Sequence, residues 1–179
     1  MKKVLNLVAV AGLTLMASAA HAQVPKILGG GDIKVGVFSP TGSDAKDNSN
    51  TTQLSVGVDY TPPGLPGTSR PTFYGDFHNG SKDGGHVNVV GVGVATKYSQ
   101  GLVGQLTKVT PYFGFGVGAY RIDVKNNVTG ESGKATTIGG KAFAGITFSK
   151  WVLEASYQLL PSQKGINPSG VGVQLGVTF

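Results

Sequence analysis

Apolar residues alternate with polar or small residues, with a period of two, in eight separate stretches of the 179-residue chain. In the last of these, "GVGVQLGVTF", valine, leucine and phenylalanine alternate with glycine, glutamine and threonine. Successive side chains of a β-strand point to opposite faces, so each stretch is predicted to be a strand with one apolar face. The predicted strands cover residues 33–37, 54–60, 73–77, 90–98, 113–117, 142–148, 151–159 and 170–179.

The composition favours an all-β chain without disulfide bridges. The sequence contains 29 glycines and no cysteine, and glycine at this density disfavours long helices. The formal net charge is +6, but the basic residues are scattered singly rather than in the blocks that nucleic-acid-binding proteins use. We therefore expect no nucleic-acid partner.

The N-terminal segment has the pattern of a secretory signal peptide. A basic start precedes an apolar run over residues 4–16, and a small-residue motif that ends at Ala22 follows. This run is shorter than the roughly 20 residues that a transmembrane helix needs. The sequence predicts that residues 1–22 are a cleaved secretory signal peptide and that residues 23–179 form a single β-barrel domain.

The connections between the predicted strands differ at the two ends of the sheet. Polar loops such as "HNGSKDGGH" and "KNNVTGESGKA" follow the odd-numbered strands, whereas the two-residue "SK" and two longer segments follow the even-numbered ones. An even number of antiparallel strands with the polar loops at one end predicts an eight-stranded antiparallel up-and-down β-barrel. A lipid environment does not tolerate an open sheet edge, so the eighth strand is expected to pair with the first.

Alternation alone fits two kinds of barrel. A soluble secreted ligand-binding β-barrel has its apolar face inside, whereas a transmembrane β-barrel turns that face to lipid. The face opposite the apolar one is rich in glycine and polar residues, which suits the narrow interior of an eight-stranded barrel. Aromatic residues gather at the strand ends opposite the polar loops, as in a membrane-interface girdle: Tyr60, Phe73, Tyr98, Phe113, Phe148, Trp151 and Phe179. The transmembrane barrel is therefore favoured, with the soluble barrel as an alternative.

Charged residues are also predicted on the inward face. They are three of each sign: Lys34, Asp59, Asp76, Lys97, Lys141 and Glu154. Because a narrow barrel has little room for water, these charges should pair with one another. Lys34 and Asp59 lie on neighbouring strands and are predicted to face each other, and Lys97 lies at a similar depth to Glu154. We interpret this lumen charge network as stabilising, and a gated ion path is the alternative.

The sequence offers little for catalysis or metal binding. The segment "GFGVGAY" contains only part of a phosphate-binding glycine motif, and no helix is predicted after it. His78 and His86 flank a polar loop and could approach a shared metal ion, although solvated loop histidines are more common. We therefore predict no catalysis, no cofactor and no metal site.

Several segments together carry a resemblance to a known family. They are "TPYFGFGVGAYRI", "GGKAFAGITF", "WVLEASYQL" and the terminal Phe179. With these segments the chain resembles the small eight-stranded outer-membrane barrels of the OmpA- and OmpX-like kind. The resemblance implies an integral protein of the outer membrane with both termini in the periplasm and four loops outside. It also implies that the C-terminal strand, through Phe179, is the signal read by the barrel-assembly machinery.

The expected role is structural or surface-interactive, in contact with outer-membrane lipid. The polar loops have few of the aromatic and arginine residues that anchor protein interfaces, so weak contacts are expected there. Their partner would be an extracellular ligand or lipopolysaccharide, bound through Lys46, Lys82, Lys125, Lys134 and Lys164. The alternative function is a narrow channel or a porter for small hydrophobic ligands.

Overall fold

The computed structural model describes residues 30–63, 69–99 and 109–179, so the predicted signal peptide lies outside the described residues. Each strand pairs antiparallel with its neighbours in sequence, and β8 pairs with β1 to close the barrel. The predicted eight-stranded antiparallel barrel is thus confirmed. Its strands are β1 (Gly30–Pro40), β2 (Gln53–Thr61), β3 (Ser69–Lys82), β4 (Gly85–Ser99), β5 (Val109–Lys125), β6 (Ser132–Phe148), β7 (Trp151–Leu159) and β8 (Gly170–Thr178).

The barrel has two ends that differ in structure. The terminal end carries the start of β1 at Gly30 and the end of β8 at Thr178. The loop end carries the turns that join β3 to β4 and β5 to β6, and a short helix α1 (Ser43–Ser49) between β1 and β2. Among the described helical residues, no helix is long and apolar enough to cross a membrane.

Four strands extend well beyond the predicted ranges at the loop end. The segment "HNGSKDGGH", expected to be a polar loop, belongs almost entirely to β3 and β4, which are joined by a tight turn at Asp83 and Gly84. Both turn residues have positive φ, as the favoured two-residue hairpin turn requires. β5 and β6 likewise take up both ends of the predicted loop "KNNVTGESGKA", and residues 126–131 remain as the connection. The prediction was wrong here because exposed strands can be polar.

In the part of the barrel nearer the terminal end, the apolar face is the outer face. Val92 and Val117 are 63% and 59% exposed, whereas most of the alternating inward positions carry glycine or polar residues. The inward apolar side chains in this part, such as Phe143 and Val152, are buried. A soluble barrel would need the opposite arrangement. The large apolar residues on this outward face include Val58, Phe73, Val92, Val94, Phe113, Phe115, Val117, Leu153, Val173 and Leu175.

Glycines on the inward face make room for large inward side chains. A Cβ atom at Gly93 would overlap the phenol of Tyr74, and one at Gly91 would overlap the ring of Tyr120. The two tyrosine hydroxyls form a hydrogen bond of 2.9 Å in the middle of the lumen. The narrow interior therefore depends on glycine for close packing of its aromatic rings.

Candidate functional site

The centre of the barrel interior is a buried lysine held between two carboxylates. Lys34 of β1 donates to Asp59 of β2 at 2.7 Å and to Glu154 of β7 at 2.8 Å. None of these three side chains is more than 4% exposed. Lys34 and Asp59, which were predicted to face each other, are therefore in direct contact. Glu154 reaches Lys34 from β7, which is separated from β1 by β8. Each charge has an opposite charge at hydrogen-bonding distance, as a buried ion requires.

A second buried lysine extends the network across the lumen. Lys141 of β6 donates to Asp76 of β3 at 3.0 Å and lies 3.5 Å from Glu154. The other oxygen of Asp76 accepts a hydrogen bond from Gln158 at 3.0 Å. The other oxygen of Glu154 accepts one from the Tyr112 hydroxyl, also at 3.0 Å. Both carboxylates are thus bonded through both oxygens, which fixes their orientation.

The third lysine of the network has a different partner from the rest. Lys97 of β4 lies 3.0 Å from Asp32 of β1, and its ammonium stands 3.9 Å from the centre of the Tyr112 ring. Asp32 also accepts a hydrogen bond from Thr178 at 2.8 Å. Asp32 is missing from the predicted network, although it lies two residues before Lys34 and therefore on the same face.

At the loop end the polarity of the interior changes. The inward residues here form an apolar core that is almost completely buried: Ala45, Val87, Val89, Ile122, Val124, Leu160 and Ile166. α1 supplies Ala45, and the connection between β7 and β8 supplies Leu160 and Ile166. We call this set the loop-end core. It closes the barrel above the ionic network, as the apolar interior of a soluble barrel would.

Hydrogen bonds hold the segments that complete the loop-end core. The Asn48 side chain in α1 accepts a bond from the backbone N–H of Asn127, at 2.7 Å, in the connection between β5 and β6. The Ser169 hydroxyl accepts a hydrogen bond from the backbone N–H of Leu160 and donates one to the Leu160 carbonyl, both at 2.9 Å. The backbone carbonyl of Ser169 accepts a hydrogen bond from the N–H of Thr41 at 2.8 Å. Three separate connections are therefore tied to one another over the end of the barrel.

The two histidines weighed as metal ligands lie on opposite faces of the sheet. His78 is 1% exposed inside the lumen, with its ring stacked 4.1 Å from that of Phe38. His86 faces outward, and its Nε2 lies 3.2 Å from a carboxylate oxygen of Asp123. They cannot share a metal ion. Within residues 30–63, 69–99 and 109–179, no group of three or more histidine, cysteine or acidic residues is placed to hold one.

A closed eight-stranded barrel with an apolar outer face and a polar interior is the architecture of small outer-membrane proteins. The family model described as "Outer membrane protein beta-barrel domain" matches residues 7–179 of this chain. The chain belongs to this family. A comparison with curated proteins found no significant match.

Solved structures with the same fold include other small outer-membrane barrels. Neisserial surface protein A is 16% identical, with a TM-score of 0.59, and the match covers 83% of this chain and 93% of that one. The outer membrane enzyme PagL is 12% identical, with a TM-score of 0.53, over 83% of this chain and 98% of that one. The N-terminal β-barrel domain of Pseudomonas aeruginosa OprF is 13% identical, with a TM-score of 0.50, over 85% and 98%. At these identities the likeness shows the fold alone.

In this outer-membrane barrel, the predicted interface aromatics lie towards the terminal end. Tyr60 is paired with Phe73, and Phe148 with Trp151, on adjacent strands. These four side chains are 37–51% exposed. Tyr98 stacks on Phe113 with 5.2 Å between ring centres.

Phe179, the last of the seven, continues the pairing of β8 with β1. Its backbone exchanges two hydrogen bonds with Gly31, of 2.9 Å and 3.2 Å. Its ring covers Gly31 so closely that a Cβ there would overlap it. The final residue of the chain is thus part of the barrel closure.

Among the described residues, a cavity of about 530 Å³ with a mixed polar and apolar lining lies at the terminal end of the outer-membrane barrel. Asp32, Lys97 and Tyr112 form its floor, where the ionic network begins. Arg70 and several threonines complete its wall. In the described part of the chain the interior therefore passes from this cavity, through buried ion pairs, to the loop-end core.

Proposed function

We propose that this protein is a sealed outer-membrane barrel with a structural or surface-interaction role, and that it neither conducts ions nor catalyses a reaction. The observation that carries the proposal is the closed interior. Ion pairs buried to 4% exposure or less fill the middle of the lumen, and an apolar core fills the loop end. In this interpretation the lumen charge network stabilises the barrel from within.

Two obstacles stand in the way of ion passage through such an interior. An ion that crosses the middle of the lumen would have to separate Lys34 or Lys141 from carboxylates that lie only 2.7–3.0 Å away. Leaving one member of a buried pair without its partner costs about 3–5 kcal/mol. The ion would then meet the loop-end core, and apolar constrictions of this kind block conduction by excluding water.

We further propose that residues 1–22 are removed, that the terminal end faces the periplasm and that the loop end faces outward. Longer connections and hairpins with polar outer faces are typical of the external side of bacterial barrels. The hairpins β3–β4 and β5–β6 extend at the loop end beyond the other strands. The C-terminal strand would be read by the barrel-assembly machinery through Phe179. This proposed role of Phe179 is supported by its position, because β8 and Phe179 pair with β1 and close the barrel.

The surface-interaction role rests on the loop end. Lys46, Lys125 and Lys134 lie on or beside its connections, together with Lys82 and Lys164. These lysines would contact an extracellular ligand or lipopolysaccharide through weak, salt-sensitive interactions. Likeness of fold to an outer membrane enzyme, at 12% identity, gives no support to a catalytic role.

The test combines fractionation with conductance. Outer-membrane fractions are run on SDS gels unheated and boiled, and the refolded protein is added to planar lipid bilayers. A membrane-bound band that changes mobility on boiling, with no conductance above the bare bilayer, is expected. Stable conductance steps would favour the channel alternative. Recovery in the soluble fraction, without a mobility change, would overturn the whole proposal.

A further inference from the structure

The outer wall formed by β4, β5 and β6 changes from apolar to charged within two rows of paired residues. One row consists of Val92, Ala119 and Ile138, and its valine and isoleucine are 63% and 76% exposed. Two rows nearer the loop end, the corresponding outward residues are Asn88, Asp123 and Lys134. Successive outward rows are two residues apart along each strand, which is a distance of roughly 7 Å. The border between lipid tails and headgroups is therefore expected between these rows.

Basic side chains lie directly at this border. Arg121 occupies the row between the two, next to Val90 and Thr136, and it is exposed. Lys134 is 64% exposed and lies 3.2 Å from Asp123, which also contacts His86 at 3.2 Å. We call His86, Arg121, Asp123 and Lys134 the rim cluster. Asp123 orients His86 and Lys134 through these contacts. The Arg121 side chain and most of the Lys134 side chain are exposed on the outer surface of the barrel.

We propose that the rim cluster binds the phosphate groups of the lipid in the membrane leaflet nearest the loop end. Arg121 and Lys134 present charged donors to oxygens of a phosphorylated headgroup, while Val92 and Ile138 contact its acyl chains below. Arginine and lysine are the residues that recognise phosphate through charge-assisted hydrogen bonds. This inference rests on the proposed function for its membrane orientation and its lipid ligand, and it adds the phosphate groups as the recognised part and Arg121 as a binding residue.

Position and charge together favour a lipid over a soluble partner. Arg121 faces outward from the barrel wall at the height where the apolar belt ends, so a phosphate there would belong to a neighbouring lipid. Apart from Asp123, which belongs to the cluster, the acidic residues nearest to it on the outer side of the two hairpins are Asp83 and Glu131. Both lie at the hairpin turns, farther from the apolar belt. The cluster therefore carries an excess of positive charge where lipid phosphates lie.

The test measures binding of lipid A, and of lipid A from which the phosphates have been removed, to the full refolded chain in detergent by native mass spectrometry. The double variant Arg121→Gln/Lys134→Gln removes the two outward donors. The matched control Arg70→Gln/Lys150→Gln removes one arginine and one lysine at the terminal end, away from the rim cluster. A charge-preserving variant, Arg121→Lys/Lys134→Arg, checks that charge rather than packing is responsible. Folding of every variant is verified by the mobility change on boiling.

The native protein should prefer phosphorylated lipid A, and Arg121→Gln/Lys134→Gln should lower that affinity about tenfold. The control and the charge-preserving variant should retain it, and the preference should weaken as salt is added. Equal binding of both lipids by the native protein would overturn the proposal, as would an equal loss in the control. Either result leaves a folded, non-conducting barrel unaffected, so the proposed function would stand. A protein that does not enter membranes would instead overturn the proposed function.

Discussion

Lys34 Nζ lies 2.7 Å from Asp59 Oδ2 in the barrel interior, where the two side chains are 0% and 4% exposed. A buried pair of this kind contributes little compared with a well-packed apolar pair, because removing both ions from water is costly. Breaking it by removing one partner is a different matter, since the remaining charge stays buried without compensation. This asymmetry gives the lumen charge network a testable signature.

Replacing Lys34 by methionine should destabilise the barrel by about 3–5 kcal/mol, because the carboxylates of Asp59 and Glu154 lose their shared partner. Urea unfolding in phospholipid vesicles, followed by the fluorescence of Trp151, measures the change. The double variant Lys34→Met/Asp59→Asn should recover part of the loss. An unfolding free energy equal to that of the native protein would mean that the network contributes nothing.

Gly93→Ala should destabilise the barrel by about 1–3 kcal/mol, because the new methyl group would overlap both the Val117 carbonyl oxygen and the Tyr74 phenol. The control is Gly75→Ala on the neighbouring strand, where the nearest atom to a Cβ is 3.8 Å away. The free energies of unfolding of both variants are compared with that of the native protein. Equal losses at the two positions would show that strand flexibility, and not lumen packing, sets the need for glycine.

Val92→Arg should cost about 2–4 kcal/mol if its outward face contacts lipid. Thr136→Arg, on the same wall but in the row where the apolar belt ends and Arg121 already lies, should cost much less. Unfolding in vesicles measures both changes, and the same pair in a detergent micelle should show a smaller difference. A tolerated arginine at Val92 would contradict the placement of this face in the membrane.

Asp123 lies beyond the apolar belt, and its pKa is below the usual value. Its slight desolvation would raise the pKa, but hydrogen bonds from His86 and Lys134 outweigh this. A lowered pKa in the folded state means that the stabilisation is present above the usual carboxyl pKa and is lost as pH falls through the lowered value. Asp123→Asn should therefore be slightly less stable than the native protein at neutral pH and equally stable in strong acid. A difference that persists in strong acid would contradict this assignment.

Deleting Phe179 should lower the amount of barrel in the outer membrane, while the purified variant should still refold in detergent. The deletion removes the residue that continues β8 against Gly31 but leaves the pairing of β8 with β1 intact. Immunoblots of membrane fractions give the level in cells, and the mobility change on boiling gives refolding. Normal levels in cells would overturn Phe179 as an assembly signal, whereas failure to refold would assign it a structural role.

The sequence specified the faces of the strands better than their ends or their register. Alternation placed Lys34 and Glu154 inside because parity depends only on neighbouring residues. The pairing of Lys97 with Asp32 depends on the stagger of strands around the closed barrel, which parity does not determine. The loop-end extensions were missed because polarity reports exposure, and Asn79 and Asn88 are polar residues within exposed strands. α1, with seven residues, is too short to show a helical period.

The reversal of polarity along β5 has a consequence for the surrounding bilayer. Outward positions change from Val117 and Ala119 to Arg121 and Asp123, while inward positions change from Gly118 to Ile122. The barrel can neither sink nor rise without burying a charge in hydrocarbon or exposing the apolar belt to water. Its depth is therefore fixed by its own wall, and a bilayer of unsuitable thickness must thin or thicken around it.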